Sequence, residues 1–143
     1  MSCFLLDTNV VSELRRPRPD RGVLDWIDAV RSSHLRLSVL TVGEITQGIE
    51  RLALRDVPQA MAIAQWRDRL VNGYGDRIVP VSCEVAETWG RLNAVRPLPV
   101  VDGLLAATAV VHDWTLVTRD SDAVSGVGVK VLNPFTREAD MGS

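Results

Sequence analysis

Cys3-Phe4-Leu5-Leu6-Asp7-Thr8-Asn9-Val10 is the stretch whose reading decides the fold. An unbroken apolar run ended by an acid reads as a short strand covered on both faces, where no residue needs to face water. Asp7, directly after this run, could cap a following helix. Val10–Leu14 then reads as a brief first helix. Arg15-Arg16-Pro17-Arg18-Pro19 stops it, because proline lacks the N–H that a continuing helix needs.

The same alternation continues outward along the chain. Leu35–Leu40, Ile78–Val81, Thr115–Thr118 and Val129–Leu132 read as further strands, and Cys3–Leu6 is the first. Asp20–Val30 carries Val23, Leu24, Ile27 and Val30 on one helical face. Val42–Leu54 repeats Ile45, Ile49, Leu52 and Ala53, and Pro58–Val71 repeats Ala62, Ile63, Trp66 and Leu70. Pro58 suits a helix start. This pair is expected to form a helical arm. Ser82–Val95 opens on a Ser cap. Asp102–Val111 is apolar almost all round, the mark of a buried helix. Strands separated by helices predict an α/β protein with a parallel sheet covered on both faces. The length of 143 residues fits one domain, residues 1–143.

Composition narrows the class. Hydrophobic residues are 46% and charged residues 24%, as in ordinary globular proteins. No apolar run approaches the ~20 residues of a membrane helix. The basic segment and long apolar stretch of a secretion signal are missing, so a cytoplasmic protein is expected. The net charge of −2 argues against a non-specific nucleic-acid coat, but not against an enzyme with local arginines around an acidic centre. Cys3 and Cys83 share no metal-ligand spacing and read as buried free thiols.

The chemistry rests on where the acids stand. In an open α/β sheet, ligands collect at the carboxyl ends of the strands. Asp7 follows the first strand and Glu44 lies just beyond the second. Asp102 follows Pro99-Val100-Val101 at the start of the buried helix, and Asp120 follows Leu116-Val117-Thr118-Arg119. Each has an ordinary structural reading. Asp7 could cap a helix, Glu44 could close a capping box with Thr41, Asp102 could complement a helix dipole, and Asp120 could mark a turn. If they share one edge of the sheet, their mutual repulsion forces either proton uptake or a cation between them. Hard oxygen ligands of this kind suit Mg²⁺ or Mn²⁺, and no His/Cys cluster offers a zinc site. Such a centre does phosphoryl chemistry without a protein nucleophile.

Four blocks together resemble a known family. They are Leu5-Leu6-Asp7-Thr8-Asn9-Val10, Gly43-Glu44-Ile45, Val101-Asp102-Gly103-Leu104-Leu105-Ala106-Ala107-Thr108-Ala109, and Leu116-Val117-Thr118-Arg119-Asp120 followed by Asn133-Pro134-Phe135. In this order the chain resembles PIN-domain ribonucleases of the VapC-like toxin type, from about residue 3 to 135. The resemblance implies a three-layer sandwich with a central parallel sheet of about five strands flanked by helices. It implies a Mg²⁺- or Mn²⁺-dependent endoribonuclease acting on RNA such as tRNA, a cognate antitoxin and a homodimer. Asp7, Glu44, Asp102 and Asp120 would be the catalytic metal ligands, with Asn9 and Thr118 in support. The last block departs from the usual Thr-Arg-Asn-x-x-Asp-Phe, because an acid stands at the Asn position and Ala123 replaces the later Asp. This leaves Asp120 as the fourth acid and Asp122 as its alternative.

Arg15, Arg16, Arg18 and Arg119 are candidate phosphate contacts. His34 and His112 show no catalytic spacing, and the four tryptophans read as packing residues. Two rivals remain. A phosphohydrolase or phospho-receiver on a similar sheet would want a second acid after the first strand, which Asp7-Thr8-Asn9 does not offer, although Lys130 suits a receiver. A non-catalytic binding module would use the acids as caps alone.

Overall fold

The computed structural model describes residues 2–124 and 126–136. Five parallel strands run β1 (Phe4–Leu6), β2 (Leu35–Ser38), β3 (Ile78–Val79), β4 (Thr115–Val117) and β5 (Lys130–Leu132). Their spatial order is β3-β2-β1-β4-β5, so the first strand along the chain is the central one. Phe4 pairs with Leu35 on one side and with Thr115 on the other. The helices are α1 (Thr8–Glu13), α2 (Arg21–Ala29), α3 (Val39–Ala53), α4 (Val57–Tyr74), α5 (Cys83–Val95), α6 (Val100–His112) and α7 (Ser121–Val124).

Alternation along β1 explains the layers. Leu5 and Leu6 are both fully buried, yet they join different clusters. Leu6 packs with Val10, Val11, Val23, Leu37, Ile45 and Ile49 from α1, α2, β2 and α3. Leu5 packs with Leu105 and Ala109 of α6, Leu116 of β4 and Val124 of α7. Successive side chains on a strand point to opposite faces, so one strand feeds both cores. Each of these leucines contributes roughly 2 kcal/mol of burial.

The element borders differ from the sequence reading where a cap or a proline intervenes. Leu35–Leu40 is strand only to Ser38, because the Ser38 hydroxyl accepts from Leu40 N at 3.0 Å and starts α3 three residues early. The Thr41–Glu44 capping box therefore does not form, and Glu44 lies inside α3. Pro80 follows β3 and, having no N–H, cannot extend the ladder to Val81. The buried helix begins at Val100 rather than Asp102, with Pro99 at its cap. Asp20 caps α2 and Ser82 caps α5, as their sequence positions imply. The helical arm is no free projection. Ile45, Ile49 and Ala60 are buried in the larger core, and α4 packs along α3. Nor are the thiols buried. Cys3 is half-buried and Cys83, at the first position of α5, is exposed. No single helix among the described residues is long and apolar enough to cross a membrane.

Candidate active site

The sheet delivers Asp7 and Asp120 to one edge. Asp7 ends β1, and its N–H donates to Val117 O at 2.9 Å, zipping β1 to β4 up to the last residue. The Asp7 carboxylate then does two jobs. Oδ1 accepts from Thr8 N at 2.7 Å, capping α1. Oδ2 accepts from the Thr118 hydroxyl at 2.8 Å, from the strand beside it. Thr118 is 1% exposed, and its hydroxyl oxygen also accepts from Asp120 N at 3.0 Å. One buried hydroxyl thus sets both acids.

Asn9 extends the same net. Its Nδ2 lies 3.4 Å from Asp7 Oδ2 and 3.3 Å from Asp120 Oδ2, and its Oδ1 accepts from Arg119 N at 3.2 Å. Glu44 reaches the site from α3, where its Oε1 accepts from the Thr8 hydroxyl at 2.5 Å. The fully buried Thr41 stands one turn earlier on α3, with its hydroxyl oxygen 3.3 Å from that of Thr8. Asp102 enters from the first turn of α6, and among the described residues its carboxylate makes no hydrogen bond.

Electrostatics joins the four acids. Burial pushes the Asp7 carboxyl above the usual carboxylate range. The hydrogen bonds from Thr118 and Thr8 pull it back, and the charges of Asp102 and Glu44 push it up again. Burial likewise raises Asp102, with further upward pushes from Asp120 and Glu44. The couplings run from Asp120 through Asp102 and Glu44 to Asp7, so acids from β1, α3, α6 and the end of β4 lie within electrostatic reach of one another. Among the described residues no three acidic, histidine or cysteine side chains are already drawn up around a single point. Like charges hold each other apart, and a cation entering between them would remove that penalty. The donors are all oxygens, the set that suits a hard divalent ion.

The structural readings and the functional ones are not exclusive. Asp7 is a helix cap and also a pocket acid. Asp120 meets Asn9 and Thr118 directly, whereas Asp122 is exposed on α7. Lys130 donates to Asp113 Oδ1 at 3.0 Å rather than joining the acids, which removes the receiver-type arrangement. Among the arginines, Arg15 lines a cleft that begins at Thr8 and Glu44. Arg16 is instead paired with the buried Glu13 at 3.2 Å, and Glu13 also accepts from Asp20 N at 2.8 Å, pinning the proline loop. Arg18 is exposed on that loop. Arg119 stacks over the Phe135 ring at 4.1 Å, which holds its guanidinium in place. Sequence reasoning missed Thr8 and Thr41, although Thr8 sits between the two residues it did select. It also missed Glu13, whose burial no local pattern reveals.

A parallel α/β sheet with a carboxylate pocket across the ends of its central strands defines a class of compact acidic-centre proteins. Residues 4–127 match the PIN domain, and the chain belongs to the PIN-domain family. It is 33% identical over 141 residues to the VapC ribonuclease Y4jK of Sinorhizobium fredii, covering 92% of this chain and 97% of the relative. It is 31% identical over 137 residues to Toxin FitB of Neisseria gonorrhoeae, covering 92% and 98%. The solved structure of FitAcB from Neisseria gonorrhoeae superposes with a TM-score of 0.82 at 31% identity, over 92% of this chain and 97% of that one.

Proposed function

We propose that this protein is a Mg²⁺- or Mn²⁺-dependent endoribonuclease that serves as the toxin of a toxin–antitoxin pair. Membership of the PIN-domain family and similarity to proteins named as a ribonuclease and as a toxin support the reading. The observation that carries it is the meeting of acids far apart along the chain: burial and the charges of Asp102 and Glu44 push up the Asp7 carboxyl, and burial and the charges of Asp120 and Glu44 push up that of Asp102.

Asp7, Glu44, Asp102 and Asp120 would hold the ion. When bound, a divalent ion lowers the pKa of a water and stabilises the charge that develops as a phosphodiester is cut. The chain's own residues hold that arrangement still. Thr118 Oγ1 and Thr8 N fix the Asp7 carboxylate from both sides, and the Thr8 hydroxyl fixes Glu44. Asn9 ties the Asp7 and Asp120 side chains to the Arg119 backbone. Arg119, stacked on Phe135, presents charge to an RNA phosphate beside Asp120. A protein that cuts the RNA of its own cytoplasm needs restraint, which fits a cognate antitoxin as partner. A homodimer fits the same family reading, and tRNA is a natural candidate among the structured targets.

Purified protein free of any partner is incubated with total bacterial RNA, with Mg²⁺ and then with excess chelator, and new 5′ ends are mapped. Discrete cuts with Mg²⁺ that vanish with chelator and in Asp102→Asn support the proposal. Identical RNA in every lane overturns it.

A further inference from the structure

Asp120 lies on an exposed turn between β4 and α7. An acid that shares a cation needs a fixed position, and on an exposed turn packing does not supply one. Hydrogen bonds do. The peptide unit joining Arg119 to Asp120 is planar, so gripping both of its polar groups sets the direction in which the Asp120 side chain leaves the backbone. Its N–H donates to Thr118 Oγ1 at 3.0 Å. Its carbonyl, Arg119 O, accepts from Asn133 Nδ2 at 3.3 Å. Thr118 belongs to the site already described, whereas Asn133 reaches in from the segment after β5.

Asn133 stands just beyond the last ladder bond, from Thr118 N to Leu132 O at 3.0 Å. Pro134 comes next and has no N–H, so the main chain cannot carry the ladder further. The Asn133 side chain bridges that gap. Its Oδ1 also accepts from Phe135 N at 2.9 Å, so the amide is braced at both ends. The segment itself is anchored to α2. Pro134 and Phe135 are buried. A Cβ on Gly22 would lie 2.3 Å from Pro134 O, so only glycine lets the two backbones approach this closely. The Asp20 carboxylate, which caps α2, accepts from Thr136 N at 3.1 Å and from the Thr136 hydroxyl. Core burial accounts for Pro134 and Phe135. It does not account for Asn133, which is exposed.

We propose that Asn133 is a positioning residue for the carboxylate site: anchored to α2 through Pro134, Phe135 and Thr136, it holds the Arg119–Asp120 peptide unit so that the Asp120 carboxylate is set for a cation shared with the other acids. The inference rests on the metal-dependent reading given above. Asn133 touches neither RNA nor the ion and acts only through the backbone of Asp120. Groups that orient a metal ligand are worth about 10- to 100-fold in metal affinity, and Asn133, one step further back, is expected at the lower end, about tenfold.

Asn133→Asp is the decisive variant. Its side chain still accepts from Phe135 N, so the segment keeps its turn, but at neutral pH it cannot donate to Arg119 O. It also adds a negative charge, which by charge alone would tighten the binding of a cation. The full chain is studied in two ways. In excess chelator, amide hydrogen exchange followed by NMR is expected to show the Asp120 N–H exchanging faster in Asn133→Asp and Asn133→Ala, with the amides of β1 unchanged. In a Mg²⁺ titration followed by thermal melting, the concentration giving half of the Tm shift is expected to rise about tenfold in Asn133→Asp, and RNA cleavage to return at high Mg²⁺. An Asn133→Asp protein that binds Mg²⁺ as tightly as wild type or more tightly overturns the positioning role, as does unchanged exchange at Asp120. So does weaker Mg²⁺ binding in Asn133→Ala alone, since Asn133 then serves only to cap Phe135. Wild type whose melting Mg²⁺ and Mn²⁺ leave unmoved is a separate result and overturns the metal-dependent reading instead.

Discussion

Replacing Thr118 by valine removes one hydroxyl from the centre of the pocket and little else. The site is 1% exposed, so no water enters to replace the lost bond at 2.8 Å to Asp7 Oδ2. A hydrogen bond to a charged group is worth roughly 1.5–3 kcal/mol. The second bond lost, from Asp120 N, carries a small penalty because Asp120 is exposed and its N–H can turn to solvent. The net destabilisation is about 2 kcal/mol. Over 143 residues, at roughly 2.1 cal/mol/K of unfolding entropy per residue, Tm falls by about 7 °C. The pH dependence follows from the direction of the bond. The Thr118 hydroxyl favours ionised Asp7, so without it the already raised Asp7 carboxyl rises further. A carboxyl raised in the folded state supports stability in acid and withdraws that support as pH climbs through its folded value. The deficit of Thr118→Val is therefore largest at neutral pH and narrows in acid. Thermal melts of both proteins with chelator, at neutral and at acid pH, measure it. A deficit under about 0.5 kcal/mol, well below a charge-assisted bond, or one equal at both pH values, would refute the assignment of Thr118 as the group that orients Asp7.

Asp7→Asn keeps the helix cap but removes charge from a crowded pocket, so at neutral pH without metal it should melt no lower than wild type, whereas Asp7→Ala should lose about 1 kcal/mol with the cap. Both should fail to cut RNA, and a cutting Asp7→Asn would remove Asp7 from the reaction. Adding Mg²⁺ should raise the Tm of wild type through binding to the folded state and leave Asp102→Asn unmoved, which differential scanning calorimetry resolves. Gly103→Ala places a Cβ 3.0 Å from the Trp89 indole, so the indole, or α6 against it, must give by a few tenths of an ångström. Urea melts should show a loss of about 1–3 kcal/mol, and cleavage should fall further than stability explains because Asp102 moves with α6.

Much of this molecule can be read from local pattern. The apolar run before Asp7, the period of each helix and the proline stops all act within a few residues, and they place the five strands correctly. Borders slipped where one side chain outbid the pattern, as when Ser38 turned an apolar continuation into α3. The acids were legible because each stands where a strand hands over to a helix or just within one. Their partners were harder. Thr8 to Glu44 and Asn9 to Asp120 are contacts between residues distant along the chain, and nothing nearby in the sequence marks them. Arg16 looked like its neighbours in the basic loop, yet a buried Glu13 claims it. The cleft beside Glu44 was invisible for the same reason, since its walls come from α1, α3 and α4 together.

The central place of β1 also sets a timetable. A chain leaves the ribosome N-terminus first, so Asp7 emerges long before Thr118 and Asp120, the groups that hold and face it. β1 cannot receive its β4 neighbour until most of the protein has been made. A fragment broken off before β4 therefore lacks both Thr118, which holds Asp7, and Asp120, the last of the four acids. Whatever restrains the finished protein has the whole span of translation in which to arrive.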